Sequence, residues 1–241
     1  MIWVNGISVA IRMLKLKNPP VRPAARDRAD LPSFNKSRIR LDVWSDYVCP
    51  FCYLEEPLLT RLAEQYAGQL VLEWRAFELR PEPAPLLDPD GEYLHAIWNR
   101  AVYPMAHLRS MRLRLPPIQP RSRRAFQAAE FACEHGRFAE MHDGIFRAFF
   151  QEGRDISSVA VLLQVAESIG LDLEDFQEAL ESERYQAKVL EDEKLAHEVG
   201  ITGVPTMVMS RVGEPSDIQS VLSGAQPYEL LHATVERLLE W

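Results

Sequence analysis

Two cysteines spaced C-x-x-C, Cys49 and Cys52, stand where a strand-like run ends and a helical pattern begins, and this junction limits the chain more than any other feature. Before it, Ile39, Leu41 and Val43 alternate with Arg40, Asp42 and Trp44, the period of a strand. After it, Leu58, Leu59, Leu62 and Tyr66 recur at helical spacing, with Pro57 placed to kink the helix and Gly68 to end it. At such a junction the first sulfur sits beside the unpaired N–H groups of a helix start and the positive end of its dipole, both of which favour a thiolate. The second sulfur is one turn further in, close enough to displace whatever the first has captured as a mixed disulfide.

Other uses of the same spacing fit less well. A zinc knuckle needs two more ligands, usually a second C-x-x-C or paired histidines. The chain has no second pair, and His95, His107, His135, His142, His197 and His232 are scattered, so neither a metal nor a bound cofactor is expected. Three cysteines in 241 residues are too few for a disulfide scaffold, which makes the pair reactive rather than structural. The net charge of −8 argues against nucleic acid or an anionic membrane surface as a partner. No apolar run reaches the length needed to cross a bilayer.

Taken in order, residues 1–38 form an irregular extension. Its apolar start, Ile2 to Ile11, is interrupted by Asn5 and Gly6 and lacks the basic lead of a secretory signal, so a cytoplasmic protein is expected. Residues 39–79 read β-α-β, with Leu70, Leu72, Trp74 and Ala76 on the second strand and a right-handed crossover that makes the strands parallel. Pro81, Pro83, Pro85 and Pro89 break this pattern, and 80–195 then reads as an all-helical unit. Its stripes include Phe126, Ala129 and Cys133, then Phe138, Met141, Ile145 and Phe149; Ser157 or Ser158 and Asp172 stand at helix starts. In 196–241, Gly203-Val204-Pro205-Thr206 leads into Met207-Val208-Met209, with the proline suited to an edge or a tight bend. A short run at Val221-Leu222 follows, and Pro227 opens a closing helix with Leu230, Leu231, Val235, Leu238 and Leu239 on its apolar face.

Four segments carry a family likeness: Trp44 to Tyr53, Phe77-Glu78-Leu79-Arg80-Pro81, Gly200 to Thr206, and Ser223-Gly224-Ala225-Gln226-Pro227. In this order they resemble the DsbA-like branch of the thioredoxin superfamily. The likeness is closest to its FrnE-type members, grouped with 2-hydroxychromene-2-carboxylate isomerases and kappa-class glutathione transferases. The resemblance implies an α/β thioredoxin fold, β-α-β … β-β-α, with a large all-helical insertion. It implies a thiol–disulfide oxidoreductase with Cys49 as nucleophile, Cys52 as resolving thiol and Pro205 as a cis-proline beside them. Pro50, Phe51, Val204, Trp44 and Asp46 are then the residues around the substrate, with Val204 offering main-chain groups to an extended chain. Partners would be thiol- or disulfide-containing proteins, or glutathione as a co-substrate. The alternatives are a glutathione-dependent isomerase or transferase and a chaperone-like binding protein, neither of which needs Cys52.

The chain departs from that pattern in places. Many thioredoxin-like proteins carry a buried acid six residues before the first cysteine; here that position is Val43, on the strand face expected beneath the cysteines, and Asp46 is the peripheral acid nearby. The intervening pair Pro50-Phe51 lacks the histidine of strongly oxidising relatives, which points to a more reducing couple. Isomerase and transferase relatives typically have Ser where Cys49 stands. Cys133 reads as a core residue. Between Tyr93 and Ala129 there is no Asp or Glu but seven arginines: Arg100, Arg109, Arg112, Arg114, Arg121, Arg123 and Arg124. They read as a solvated face paired with the strongly acidic stretch from Asp172 to Glu198 or, more sharply, as an anion-binding wall over the active site suited to glutathione's carboxylates.

Overall fold

The computed structural model describes residues 38–212 and 219–240, together with the course of two short strands, β1 (Ile2–Val4) and β2 (Ile7–Val9). These two pair antiparallel, Ile2 opposite Val9. An extension expected to be irregular therefore holds a pair of strands, and its sequence carries the signal: the β-branched Ile2, Val4, Ile7 and Val9 stand on either side of Asn5-Gly6, a favoured hairpin dipeptide. The rest of the extension lies outside the described residues, as do residues 213–218 and Trp241.

The main sheet has four strands in the order β4 (Leu70–Ala76), β3 (Ile39–Ser45), β5 (Thr206–Arg211), β6 (Gln219–Ser223). β3 and β4 are parallel, joined by α1 (Pro50–Gln65), while β5 runs antiparallel to both β3 and β6. With the closing helix α9 (Tyr228–Glu240) this is the expected β-α-β … β-β-α order. Pro57 lies inside α1 without ending it, and Gly68 takes the left-handed φ of +78° in the turn that follows.

The alternation along β3 predicts one buried face, but both are buried, because the strand is central and helices cover the sheet on each side. On one side Ile39, Leu41 and Val43 pack with Leu59 and Leu62 of α1 and Leu231 and Val235 of α9. On the other, Trp44 packs with Val208 and with Leu195, Ala196 and Val199 at the end of α8 (Gln186–Glu198). Polar residues on that side survive burial only as a chain of charge-assisted bonds. The Arg75 guanidinium donates to Asp42 and to Asp192, each at 2.7 Å, and the Trp44 indole N–H donates to the Asp192 carbonyl at 3.2 Å. α8 is thereby fastened to the centre of the sheet.

Between β4 and β5 every regular element is helical, with loops between them: α2 (Glu92–Ile97), a π-helical turn (Trp98–Val102), α3 (Tyr103–Leu108), α4 (Arg123–Glu134), α5 (Phe138–Phe150), α6 (Val159–Ser168), α7 (Leu173–Glu181) and α8. The π turn ends next to Pro104, which has no N–H to give the preceding turn. Asp172 caps α7 by accepting the Asp175 N–H, whereas Ser158 stands at the start of α6 without a side-chain cap bond. One core runs from this unit to the cysteines: Phe131, Phe146, Phe149 and Phe150 are fully buried in the cluster that includes Tyr47, Cys49, Cys52 and Tyr53. Cys133 on α4 is only half-buried.

Candidate active site

All four strands of the sheet bring one end to the same place. β3 and β4 finish there, with Ser45 opposite Ala76, and β5 starts there, with Thr206 opposite Trp44 and Ser223. The chain segments leaving these ends are stitched by main-chain bonds, Phe77 N–H to the Ser45 carbonyl at 3.1 Å and Gly224 N–H to the Pro205 carbonyl at 2.8 Å. In open α/β sheets the carboxyl ends of parallel strands are where ligands bind, because the loops and helix starts converge there.

Cys49 is the residue that caps α1, with extended backbone (φ −91°, ψ 113°), and Pro50 is the first helical residue. A proline at that position takes nothing from the helix, since the N–H it lacks would have been unpaired. Cys49 therefore stands at the positive end of the helix dipole, although its side chain accepts no N–H of the first turn. Cys52 lies one turn inward, its N–H on the Cys49 carbonyl at 3.1 Å. Both thiols are buried, Cys49 at 4% and Cys52 at 1% exposure. Burial and the neighbouring Cys49 sulfur push the Cys52 thiol well above its ordinary value, against smaller opposing effects of the Asp46 main chain and the Ser45 hydroxyl. The Cys49 thiol points at the Val204 carbonyl, 3.6 Å away, and the Val204–Pro205 peptide is cis.

Over Cys49 lies an open cleft of about 280 Å³. Its floor is Val48, Cys49, Pro50 and Phe51 on one side and Val204 on the other; its walls are apolar, from Leu79, Leu86, Leu87, Tyr93, Ile97 and Trp98. Leu79, Leu86 and Tyr93 remain 38%, 45% and 66% exposed, which large apolar side chains seldom do side by side without a partner to cover them. Of the site residues expected from sequence, Cys49, Pro50, Phe51 and Val204 line this cleft, and Cys52 and Pro205 adjoin it. The Leu86, Tyr93, Ile97 and Trp98 wall was not anticipated. Its signal was present in Leu86-Leu87, an apolar pair inside a proline-rich loop, and in the apolar face of a helix that follows at once.

Trp44 and Asp46 do not line the cleft. Trp44 faces the other side of the sheet, 1% exposed, because the alternation that turns Val43 towards α1 turns Trp44 towards α8. Asp46 was expected to be peripheral and is fully buried. Its carboxylate accepts the Leu79 N–H at 2.6 Å and the Val48 N–H at 3.2 Å. Burial raises its pKa from 3.8 to about 6, although these bonds and one from the Ser122 hydroxyl favour the ionised form. Val43 is on the buried face, but it packs with Leu59, Leu62 and α9 rather than in the cluster that holds the cysteines.

The arginine-rich stretch does not wall the active site. Arg109 is drawn into the interior, where it pairs with Glu55 at 2.8 Å and donates to the Gln226 carbonyl at 2.7 Å. Arg114 and Arg121 hold main-chain carbonyls, of Glu152 and of Arg80 and Ala84, and Arg123 pairs with Glu78. Arg121, Arg123 and Arg124 do line a cavity, of about 490 Å³, but with Glu78, Glu82 and Glu183, and it shares no residue with the cleft over Cys49. Among the described residues no cluster of His, Cys, Asp and Glu could hold a metal ion, and no helix is long and apolar enough to cross a membrane.

Known proteins resemble this chain in sequence or in fold. The uncharacterized protein YwbO of Bacillus subtilis is 36% identical over 176 residues, covering 71% of this chain and 86% of its own. A probable DsbA oxidoreductase from Streptomyces coelicolor superposes with a TM-score of 0.67 at 23% identity, over 84% of this chain and 90% of its own. A 2-hydroxychromene-2-carboxylate isomerase does so with a TM-score of 0.66 at 22% identity, over 83% and 96%. At those identities the two solved structures speak for the fold alone. The model of the DSBA-like thioredoxin domain matches residues 40–236, from the first residues of β3 into the closing helix, and the chain belongs to that family.

Proposed function

We propose that the protein is a thiol–disulfide oxidoreductase that works through Cys49-Pro50-Phe51-Cys52. The observation that carries this is the placement of two thiols in unlike settings: Cys49 at the helix start on the floor of an open cleft, Cys52 behind it with its proton held by burial. In the forward direction the Cys49 thiolate attacks one sulfur of a substrate disulfide. That bond breaks, one substrate thiolate leaves, and a mixed disulfide joins Cys49 to the other half. Cys52 then gives up its proton and attacks the Cys49 sulfur, which releases the second substrate thiol and leaves a Cys49–Cys52 disulfide. Two equivalents of a thiol such as glutathione, or one dithiol protein, return the pair to the reduced form. No cofactor enters this balance. We place the reaction in the cytoplasm, where glutathione is the abundant thiol and Arg80 at the cleft edge offers a cation to its carboxylates.

The apolar walls point to a polypeptide disulfide flanked by apolar side chains, its main chain running past Val204. The test is capture. Cys52→Ser, incubated with a disulfide-bonded peptide, should accumulate a covalent adduct on Cys49 visible by mass under non-reducing conditions, and Cys49→Ser should not. Adducts through Cys52 in the Cys49→Ser protein would reverse the roles. Turnover of a glutathione-dependent isomerase or transferase substrate that survives in Cys52→Ser would favour that reading instead.

A further inference from the structure

Asp46 occupies a position that the exchange chemistry alone does not explain. It is fully buried, it touches neither sulfur with its carboxylate, and no cation pairs with it among the described contacts. What it does is join three segments. Oδ1 accepts the N–H of Val48 in the turn that presents Cys49, while its own carbonyl accepts the Cys49 N–H at 3.1 Å. Oδ2 accepts the N–H of Leu79, where the chain leaves β4 to form the far wall of the cleft. The third donor is the hydroxyl of Ser122, at the start of α4 and two residues beyond Pro120 of the same cleft. Ser122 makes no side-chain cap to its own helix, so its hydroxyl is committed to Asp46.

From this geometry we infer that Asp46 is the positioning residue of the site, its carboxylate setting the separation between the Cys49 turn and the opposing apolar wall and so the fit of a polypeptide substrate. The inference rests on the exchange reading above. Three N–H and O–H donors converge on two oxygens, and only an ionised carboxylate, which accepts at both oxygens and donates from neither, satisfies them all. A protonated acid places a fourth donor among three, and an amide places two more. The same segment is held on either side of Leu79, by the Glu78 N–H on Glu193 and by Arg121 on the Arg80 and Ala84 carbonyls, so loss of the Leu79 bond leaves it without its direct tie to the Cys49 turn.

The charged and titratable groups around Asp46 set when this happens. Glu78, the residue before the wall, raises it, and Glu78 is itself paired with Arg123 of α4, which also reaches Glu193 of α8 at 3.6 Å; Tyr47 is its neighbour in the turn, Cys49 caps α1 and Cys52 lies on it. With its pKa at about 6, Asp46 is ionised at neutral pH and protonated below pH 5.

The experiment compares wild type and Asp46→Asn, as full-length proteins, on two substrates across pH 5–8: a peptide disulfide with apolar flanks, and hydroxyethyl disulfide, which is too small to span the cleft. The peptide KM of wild type should rise as pH falls through about 6, the small disulfide showing no such step. Asp46→Asn should have a raised peptide KM at every pH, roughly tenfold at pH 7, the size expected for one lost charge-assisted bond. Its kcat/KM for the small disulfide should fall far less. Ser122→Ala, which removes one donor and keeps the carboxylate, should move the wild-type step to higher pH. This second variant decides the matter should Asp46→Asn fail to fold. Equal losses on both substrates, or a wild-type peptide KM without the step, would overturn the role of Asp46 while leaving exchange intact. No exchange with either substrate in wild type would overturn the exchange reading itself.

Discussion

Arg109→Met should expose how the helical unit is fastened to the sheet. Glu55, one turn beyond Cys52, is fully buried, and its carboxylate accepts the Gln226 N–H, 3.1 Å from each oxygen, and pairs with Arg109 at 2.8 Å. Arg109 closes α3 and also donates to the carbonyls of Leu54 and Gln226, so a single guanidinium joins the helical unit, α1 and the segment before α9. Burial outweighs this partner and leaves the Glu55 pKa at about 7, against an ordinary 4.5. A folded-state pKa raised above the unfolded one contributes stability that is fully present below pH 4.5 and is lost as pH rises through 7. The shift corresponds to roughly 3 kcal/mol. Removing Arg109 raises the Glu55 pKa further, so the two proteins should diverge as pH rises. At pH 5 Glu55 is neutral in both, and the variant loses only hydrogen bonds to carbonyls, about 1–2 kcal/mol. At pH 8 it must hold an unpaired buried carboxylate or keep a proton against the solvent, and the loss should reach about 3–5 kcal/mol. Urea unfolding at both pH values measures the difference, and Glu55→Gln/Arg109→Met should remove most of its pH dependence. A destabilisation that is equal at pH 5 and pH 8 would refute the assignment of Glu55 as the group that Arg109 compensates.

Two further outcomes are expected. Replacing Leu86 and Tyr93 together by Ser should raise the KM for an apolar peptide disulfide several-fold while sparing thermal stability, since both side chains are largely exposed in the unbound protein; an unchanged KM would mean that the substrate does not lie against this wall. Arg124→Ser should leave glutathione-dependent reduction of the oxidised pair unchanged, because Arg124 lines only the separate charged cavity, and a clear rise in the glutathione KM would restore the arginine cluster to the active site.

The strand, C-x-x-C, helix order and the late Val204-Pro205 were legible because each depends on local pattern: alternation, a helix start, a proline at a bend. Whether a face of β3 meets solvent or another layer is a different kind of fact. Trp44 and Asp42 alternate with apolar residues as solvent-facing residues would, yet α8, about 150 residues later, covers them and supplies Asp192 for Arg75 and Trp44. The proline at 205 suited either an edge or a tight bend. β5 is internal, and the proline is tolerated because it stands just before the first ladder residue, Thr206, where no N–H is required. The reading of the arginine run as a wall over the active site met the same limit. A stretch without acids in sequence says nothing about Glu55, Glu78 and the carbonyls of Arg80 and Ala84 that fold against it.

Asp46 shows why the missing buried acid at position 43 was only half of the relevant comparison. A carboxylate on the strand at 43 would sit among Leu59, Leu62 and Val235, with no donors to accept, so valine there maintains the packing of α1 on the sheet. Three residues later the chain has left the ladder, and main-chain N–H groups of the turn and of the segment after β4 are available as donors. A buried carboxylate is tolerable there because it satisfies groups that would otherwise be orphaned at the point where the strands end. The acid next to the thiols is thus placed by hydrogen-bond supply at the sheet's end and not by strand alternation.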